Sequence, residues 1–234
     1  GWPVRGGWCR VPGWLLAAFS KALDDFAMAC PVSLSPGLPA AFVPCMILYV
    51  TSRCALACRM CFYHEHLNAA HGDGLTLEEW RRLVPRLPRP LIVTITGGEP
   101  FLRGDLPEIV YCLHHQGGLR QVTINTGGWQ SDTIVEAVAR ILAECPKLHL
   151  RIDHSFDGPE PIHDLIRGRA GSYARARDTF LALARLRPHH RRFSQALTTV
   201  VQRDNIEVLP EFIGRAIDEL PADDYHLVLA RGTP

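Results

Sequence analysis

The fold class legible in this sequence is α/β: a partial, TIM-like (β/α)6 barrel with parallel strands. Three observations predict it. Six short runs are apolar or β-branched and are bounded by turn residues. Helix-period stretches separate those runs, the alternation of a parallel sheet with right-handed crossovers. The residues with chemistry to offer follow the strands directly, at the end where β/α barrels gather ligands.

Leu15, Phe19, Leu23 and Phe26 recur at helical spacing, which predicts an amphipathic helix over residues 14–30. Pro31 to Pro44 is a proline-rich connector. Residues 1–43 are therefore expected to form an N-terminal helix and connector, and 44–234 the barrel domain. The six strands are expected over Cys45–Val50, Leu91–Thr96, Gln121–Asn125, Leu148–Ser155, Gln195–Val201 and Tyr225–Ala230. Thr76 followed by Glu79 is a capping box that opens a helix over Leu77–Leu83. The helix Leu106–Gln116 stops at Gly117-Gly118. Residues 131–144, 172–186 and 206–220 read as further helices. The chain begins at Gly1 without a methionine and stops just after a strand-like run, so it reads as a fragment cut short at the C-terminus.

The 234 residues are 47% hydrophobic and 21% charged, enough for one domain with a substantial core. The net charge of +1 leaves no electrostatic footprint for nucleic acid or a membrane surface. The basic stretch Arg185 to Arg192 reads as a solvated face or loop. Trp14 to Phe19 is too short for a signal peptide core, and Lys21, Asp24 and Asp25 follow at once. The longest apolar run, Ala40 to Val50, is too short to span a bilayer and contains Pro44. No nucleic-acid partner and no membrane are expected.

Of eight cysteines, five are scattered (Cys9, Cys30, Cys45, Cys112, Cys145) and read as small buried hydrophobes. The other three are bunched. The first strand runs into Thr51-Ser52-Arg53-Cys54-Ala55-Leu56-Ala57-Cys58-Arg59-Met60-Cys61. Thiolates are the ligands of iron–sulfur clusters, commonly four of them. Three leave one metal position open, where a substrate or cofactor can bind. A structural zinc site completed by His64 or His66, or free thiols, are the alternatives at this point. Thr96-Gly97-Gly98-Glu99-Pro100 follows the second strand. Its glycines let backbone approach a ligand closely, its carboxylate beside exposed carbonyls suits an ammonium group, and Pro100 fixes the chain leaving the site. A plain tight turn is the alternative.

Taken together, Cys-x3-Cys-x2-Cys after the first strand and Gly-Gly-Glu-Pro after the second resemble the radical S-adenosylmethionine (SAM) superfamily, over about residues 44–231. The resemblance implies that Cys54, Cys58 and Cys61 hold a 4Fe-4S cluster whose open iron is chelated by the methionine moiety of SAM. It implies that Gly97, Gly98 and Glu99, closed by Pro100, receive the SAM ammonium, and that Met60 to Tyr63 lie beside the adenine. Asn125-Thr126-Gly127-Gly128 is similar to the family's Asn-Thr-Asn-Gly, with Gly127 replacing Asn. Ser155-Phe156-Asp157-Gly158-Pro159, then His163-Asp164 and Arg167-Gly168, resembles the branch holding peptide-modifying enzymes and the molybdenum-cofactor cyclase, where the serine commonly lies near the SAM ribose or carboxylate. Asn125, Ser155, Asp157 and Arg231, the last at the end of the sixth strand, are the further candidates for SAM contact.

By this resemblance the chain is an enzyme. An electron from a flavodoxin- or ferredoxin-like donor reduces the cluster, SAM is cleaved to methionine and a 5′-deoxyadenosyl radical, and the radical abstracts hydrogen from a small-molecule or peptide substrate. The cluster implies a reducing compartment and a cytoplasmic location. A peptide-maturing enzyme without its C-terminal auxiliary-cluster domain, and a non-catalytic iron–sulfur or zinc module, are the competing readings. The fourth strand adds an expectation about the interior. Leu148, Leu150 and Ile152 alternate with His149, Arg151 and Asp153, and the polar series continues through Ser155 and Asp157. Alternate side chains face opposite sides of a strand, so the apolar series is expected outward against helices and the polar series inward, with Arg151 and Asp153 shaping a substrate cavity; an interior charge network that only supports the barrel is the alternative.

Overall fold

A computed structural model describes residues 45–68, 74–87, 90 and 92–231; the helix and connector expected over residues 1–43 lie outside them. Six strands form one sheet in the order β1 to β6, each parallel to the next: β1 Cys45–Tyr49, β2 Ile92–Thr96, β3 Gln121–Thr126, β4 His149–Ser155, β5 Phe193–Val201 and β6 Asp224–Leu229. Six helices lie among them: α1 Leu77–Leu83, α2 Leu106–His115, α3 Ser131–Glu144, α4 Glu160–Arg167, α5 Ser172–Ala184 and α6 Leu209–Glu219. With strands paired in chain order, every crossover of one hand puts its helix on the same face. The result is a half-barrel, the α/β architecture that the strand–helix alternation predicts.

The helix boundaries have local causes. At α1 the Thr76 side chain accepts from Glu79 N while the Glu79 carboxylate accepts from Thr76 N, the reciprocal capping box. Pro107 and Pro210 stand in the first turns of α2 and α6, where a missing N–H leaves nothing unpaired. The helix expected from residue 206 begins three residues later, at Leu209. Helix α4 is the element that periodicity did not predict. It has only eight residues, carries Pro161 in its first turn and closes on Gly168 in the left-handed conformation, φ +66°.

The helix-covered face of the sheet carries the core. Val93 and Ile95 of β2, Val122 and Ile124 of β3, and Leu150 and Ile152 of β4 are buried against Ile109, Val110 and Leu113 of α2 and Ile134, Val138 and Ile141 of α3. Each such side chain contributes about 2–3 kcal/mol by leaving water. Phe156, Phe180, Leu197 and Phe212 form a second cluster under α5 and α6. The apolar series of β4 thus packs outward, as its alternation predicts. His154 joins that buried series; its imidazole is paired to Gln195 and set edge-on to Phe180.

The opposite, concave face is open. Ile47 and Tyr49 are exposed there on β1, and His149, Arg151, Asp153 and Ser155 occupy it on β4. Cys112 and Cys145 are buried as expected, but Cys45 is exposed, on the same open face of β1 as Ile47 and Tyr49; Cys9 and Cys30 lie outside the described residues. No helix among the described residues is long and apolar enough to cross a membrane.

Candidate active site

The C-terminal ends of β1 to β4 bring the predicted motifs to one end of the sheet. After β1 the chain turns through the cysteine loop. Arg53 N donates to Thr51 Oγ1, and Asn68 clasps Cys54 from both sides, its Oδ1 accepting from Cys54 N and its Nδ2 donating to Cys54 O. Cys54, Cys58 and Cys61 are free thiols, each partly buried. Burial pushes the Cys54 thiol up to about 11 and raises that of Cys61, so a metal must displace their protons on binding. Of the two histidines that could complete a zinc site, His64 sets its ring Nδ1 against the Cys61 carbonyl and His66 packs against Tyr63.

The Gly-Gly-Glu-Pro turn is tied to that loop by backbone. Gly98 N donates to Thr51 O at 2.8 Å and Glu99 N to Arg53 O at 2.7 Å. The approach is too close for side chains. A Cβ on Gly97, whose φ is +131°, would fall 2.4 Å from Thr51 O, and one on Gly98 2.1 Å from Arg53 O. Pro100 starts a buried turn of 3-10 helix. The Glu99 carboxylate points toward β3, where it accepts from Gly127 N and Thr126 Oγ1, while its other oxygen accepts from Phe101 N. Burial pushes its pKa up to about 7 against these donors.

Gly127 has a local reason to be glycine. A Cβ there would meet Leu56 Cδ1 at 2.6 Å, so the Leu56 side chain fills the space an asparagine would use. Asn125 lies one pleat below, on the concave face in register with Asp153. Ser155, the last residue of β4, is half-buried on the same face. Met60 is buried, and Tyr63 packs between Tyr49 and His66 with ring centroids 5.3 and 5.1 Å away. Arg231 is exposed two residues beyond β6.

Asp157 departs from the expectation drawn from the β4 alternation. The strand ends at Ser155 and the chain turns, so the period of two lapses before 157. Its carboxylate is fully buried, 2.6 Å from Arg167 Nη2 and 2.9 Å from Val200 N. Burial pushes the carboxyl up, and the charge of Arg167, which stays protonated, opposes that shift. Arg167 and Gly168, quoted in the sequence only as part of a motif, turn out to grip the cysteine loop. Ala57 N donates to Arg167 O and Arg59 N to Ile166 O, and Arg167 Nη1 donates to Cys58 Sγ at 3.6 Å. A Cβ on Gly168 would stand 2.4 Å from Ala57 O. The unpredicted helix α4 hid this contact; the αL glycine at its end is the signal that could have found it.

Deeper on the concave face Arg151 gathers a polar group. It donates to Asp153 at 2.7 Å, to Asp224 at 2.8 Å and to His226 Nε2. It reaches β6 across β5 because the residue between Asp153 and Asp224 in register is Ala196. Burial, then the Arg151 charge, hold His226 below its ordinary pKa, which keeps Nε2 an acceptor.

This donor set fits a cluster held by three thiolates. Among the described residues no three His, Cys, Asp or Glu side chains converge on a single-ion site, whereas in a cluster each cysteine takes a separate iron. Arg167 Nε, buried, has no acceptor among the described residues, a costly state for a charged donor unless an acceptor arrives.

Comparison with known proteins agrees with this geometry. The family model described as the radical SAM superfamily matches residues 48–216. The chain is 32% identical over 190 residues to the PqqA peptide cyclase of Rhodopseudomonas palustris, covering 77% of this chain and 44% of that protein. It is 29% identical over 214 residues to the AdoMet-dependent heme synthase of Oleidesulfovibrio alaskensis, covering 87% and 49%. The chain thus spans less than half the length of these relatives. Among solved structures, Streptococcus suis SuiB bound to S-adenosylmethionine is similar with a TM-score of 0.64 at 14% identity, covering 94% of this chain and 51% of that one. At that identity the likeness is one of fold.

Proposed function

The chain belongs to the radical SAM superfamily, and from that premise we propose that Cys54, Cys58 and Cys61 hold its 4Fe-4S cluster and that the turn Gly97 to Pro100 receives SAM. When bound, the cluster and SAM supply the family's chemistry, reductive cleavage of SAM to a 5′-deoxyadenosyl radical that takes hydrogen from a substrate. The observation that carries the reading is the pair of backbone hydrogen bonds from Gly98 and Glu99 to Thr51 and Arg53, which make the cysteine loop and the acceptor turn one unit.

The chain's own residues bind, orient and exclude water. Gly97 and Gly98 admit a ligand to the backbone. Met60 and Tyr63 offer it apolar and aromatic surface, Asn125 and Ser155 offer polar contacts on the concave face, and Arg231 offers a cation at the sixth strand end. Asp157 serves indirectly, through Arg167. Arg151 and Asp153 shape the polar cavity below, which takes a small-molecule or peptide substrate. The 32% identical peptide cyclase favours the peptide reading, as does a structure of SuiB bound to precursor peptide SuiA with TM-score 0.61. Exposed Arg53, Arg59 and Arg169 around the loop suit an acidic flavodoxin- or ferredoxin-like electron donor, in a reducing, cytoplasmic setting. Reconstituted protein incubated with SAM and dithionite should form 5′-deoxyadenosine. Intact SAM after incubation with a fully loaded, reduced cluster would favour the electron-transfer or structural module instead.

A further inference from the structure

Helix α4 ends against the cysteine loop, and its last residue is a buried cation. Arg167 is a buried arginine, with 9% of its side-chain surface exposed. Its Nη2 is clamped by Asp157 at 2.6 Å, and Asp157 is itself fixed to β5 by Val200 N at 2.9 Å, while its carbonyl accepts from Asn205 Nδ2 at 2.8 Å. The clamp aims Nη1 at Cys58 Sγ, 3.6 Å away. Nε, on the same guanidinium, has no acceptor among the described residues. The backbone is fixed too, since Arg167 O and Ile166 O accept from Ala57 N and Arg59 N on either side of Cys58.

An ion pair whose only task is packing gains little, because desolvating both ions offsets their attraction. Arg167 is also left one donor short. Its surroundings make sense if a negative group with sulfur acceptors sits against it. Hydrogen bonds to sulfur and local net charge set cluster potentials. A reduced cluster carries one more negative charge, and a buried cation beside it is screened far less than a surface one.

We propose that Arg167 is a positioning residue for the iron–sulfur cluster: held by Asp157, its guanidinium donates to the Cys58 sulfur and raises the cluster's reduction potential. The proposal rests on the assignment of Cys58 as a cluster ligand. The role is sequence-readable only in hindsight, through Asp157, Arg167 and Gly168 meeting at one turn.

The test compares anaerobically reconstituted parent protein with Arg167→Gln and Arg167→Lys, reading iron content, the visible spectrum and an EPR-monitored redox titration. A parent that takes up no iron defeats the ligand assignment itself, whatever the variants do. With a loaded parent, the expected result is a loaded Arg167→Gln variant whose midpoint is shifted to lower potential, with Arg167→Lys between the two. A loaded Arg167→Gln variant with the parental midpoint and spectrum overturns the proposal. If Arg167→Gln takes up no iron, thermal unfolding of the apoproteins decides. Uptake by Arg167→Lys with parental apoprotein stability in both variants supports a cation needed at Cys58; loss of uptake in both, or apoprotein unfolding well below the parent, leaves Arg167 a folding residue and overturns it.

Discussion

The Glu99 carboxylate accepts a hydrogen bond from the Gly127 backbone N–H at 2.8 Å, joining the ends of β2 and β3 beside the cysteine loop. The same side chain accepts from Thr126 Oγ1 and Phe101 N. Glu99→Ala should therefore do two things. It strips these donors of their acceptor, at about 2–4 kcal/mol of stability, and it weakens SAM binding while iron content stays at the parental level, since Glu99 does not hold metal. Glu99→Gln keeps one acceptor oxygen and should recover most of the stability but not the SAM affinity. Calorimetry with SAM on the loaded proteins checks this; parental affinity in Glu99→Ala contradicts the acceptor-site assignment.

Leu56 and Gly127 should be energetically coupled. The Cβ of Gly127→Ala would meet Leu56 Cδ1 at 2.6 Å, an overpacking that costs about 1–2 kcal/mol where the neighbour is the end of a buried side chain. In a Leu56→Ala background that cost should largely vanish. Denaturant unfolding of the two single variants and the double variant reads the coupling directly; additive effects contradict it.

Two left-handed glycines should respond differently to the same change. Gly168 and Gly171 have φ of +66° and +78°, so Ala strains both by about 1 kcal/mol. At Gly171 a Cβ meets nothing within 4 Å, while at Gly168 it meets Ala57 O at 2.4 Å. Gly168→Ala should push the cysteine loop away from α4 and lower iron retention, whereas Gly171→Ala should show only the small loss of stability. Iron per chain after desalting is the measurement.

Acid should destabilise the apoprotein through its buried histidines. Burial lowers His154 to about 4 from an ordinary 6.5, and lowers His163 to about 3. A depressed folded pKa gives stability that is complete above the unfolded value, about 6.5, and lost as pH falls toward the folded one. Glu99, raised by burial to about 7, runs the other way, its contribution fading as pH rises through that value. The His154 share is isolated by comparison: the parent should lose about 2 kcal/mol more than His154→Gln between about pH 7 and about pH 5. Equal losses in the two proteins contradict the burial argument.

The strands were readable because each is a short apolar run between turn residues, and the alternation of β4 even told its two faces apart. Motifs at strand ends were readable because parallel strands deliver their C-termini to one place. Helix α4 was not, since eight residues with a proline in the first turn give too little periodicity to see. Its invisibility hid the grip of Arg167 and Gly168 on the cysteine loop. Asp157 lies past the end of β4, where the period of two no longer holds, so its carboxylate is buried against Arg167 instead of lining the cavity. Arg151 meeting Asp224 and His226 depends on Ala196 lying between them, a register that no local pattern encodes.

The most direct test of the account is iron in the anaerobically reconstituted protein and in single cysteine variants. About four irons per chain are expected in the parent and in Cys112→Ala, whose thiol is buried in the core. Cys54→Ala, Cys58→Ala and Cys61→Ala should each lose the cluster and its visible absorption. Stoichiometric zinc without iron in the parent, or a full cluster in any of these last three variants, would contradict it.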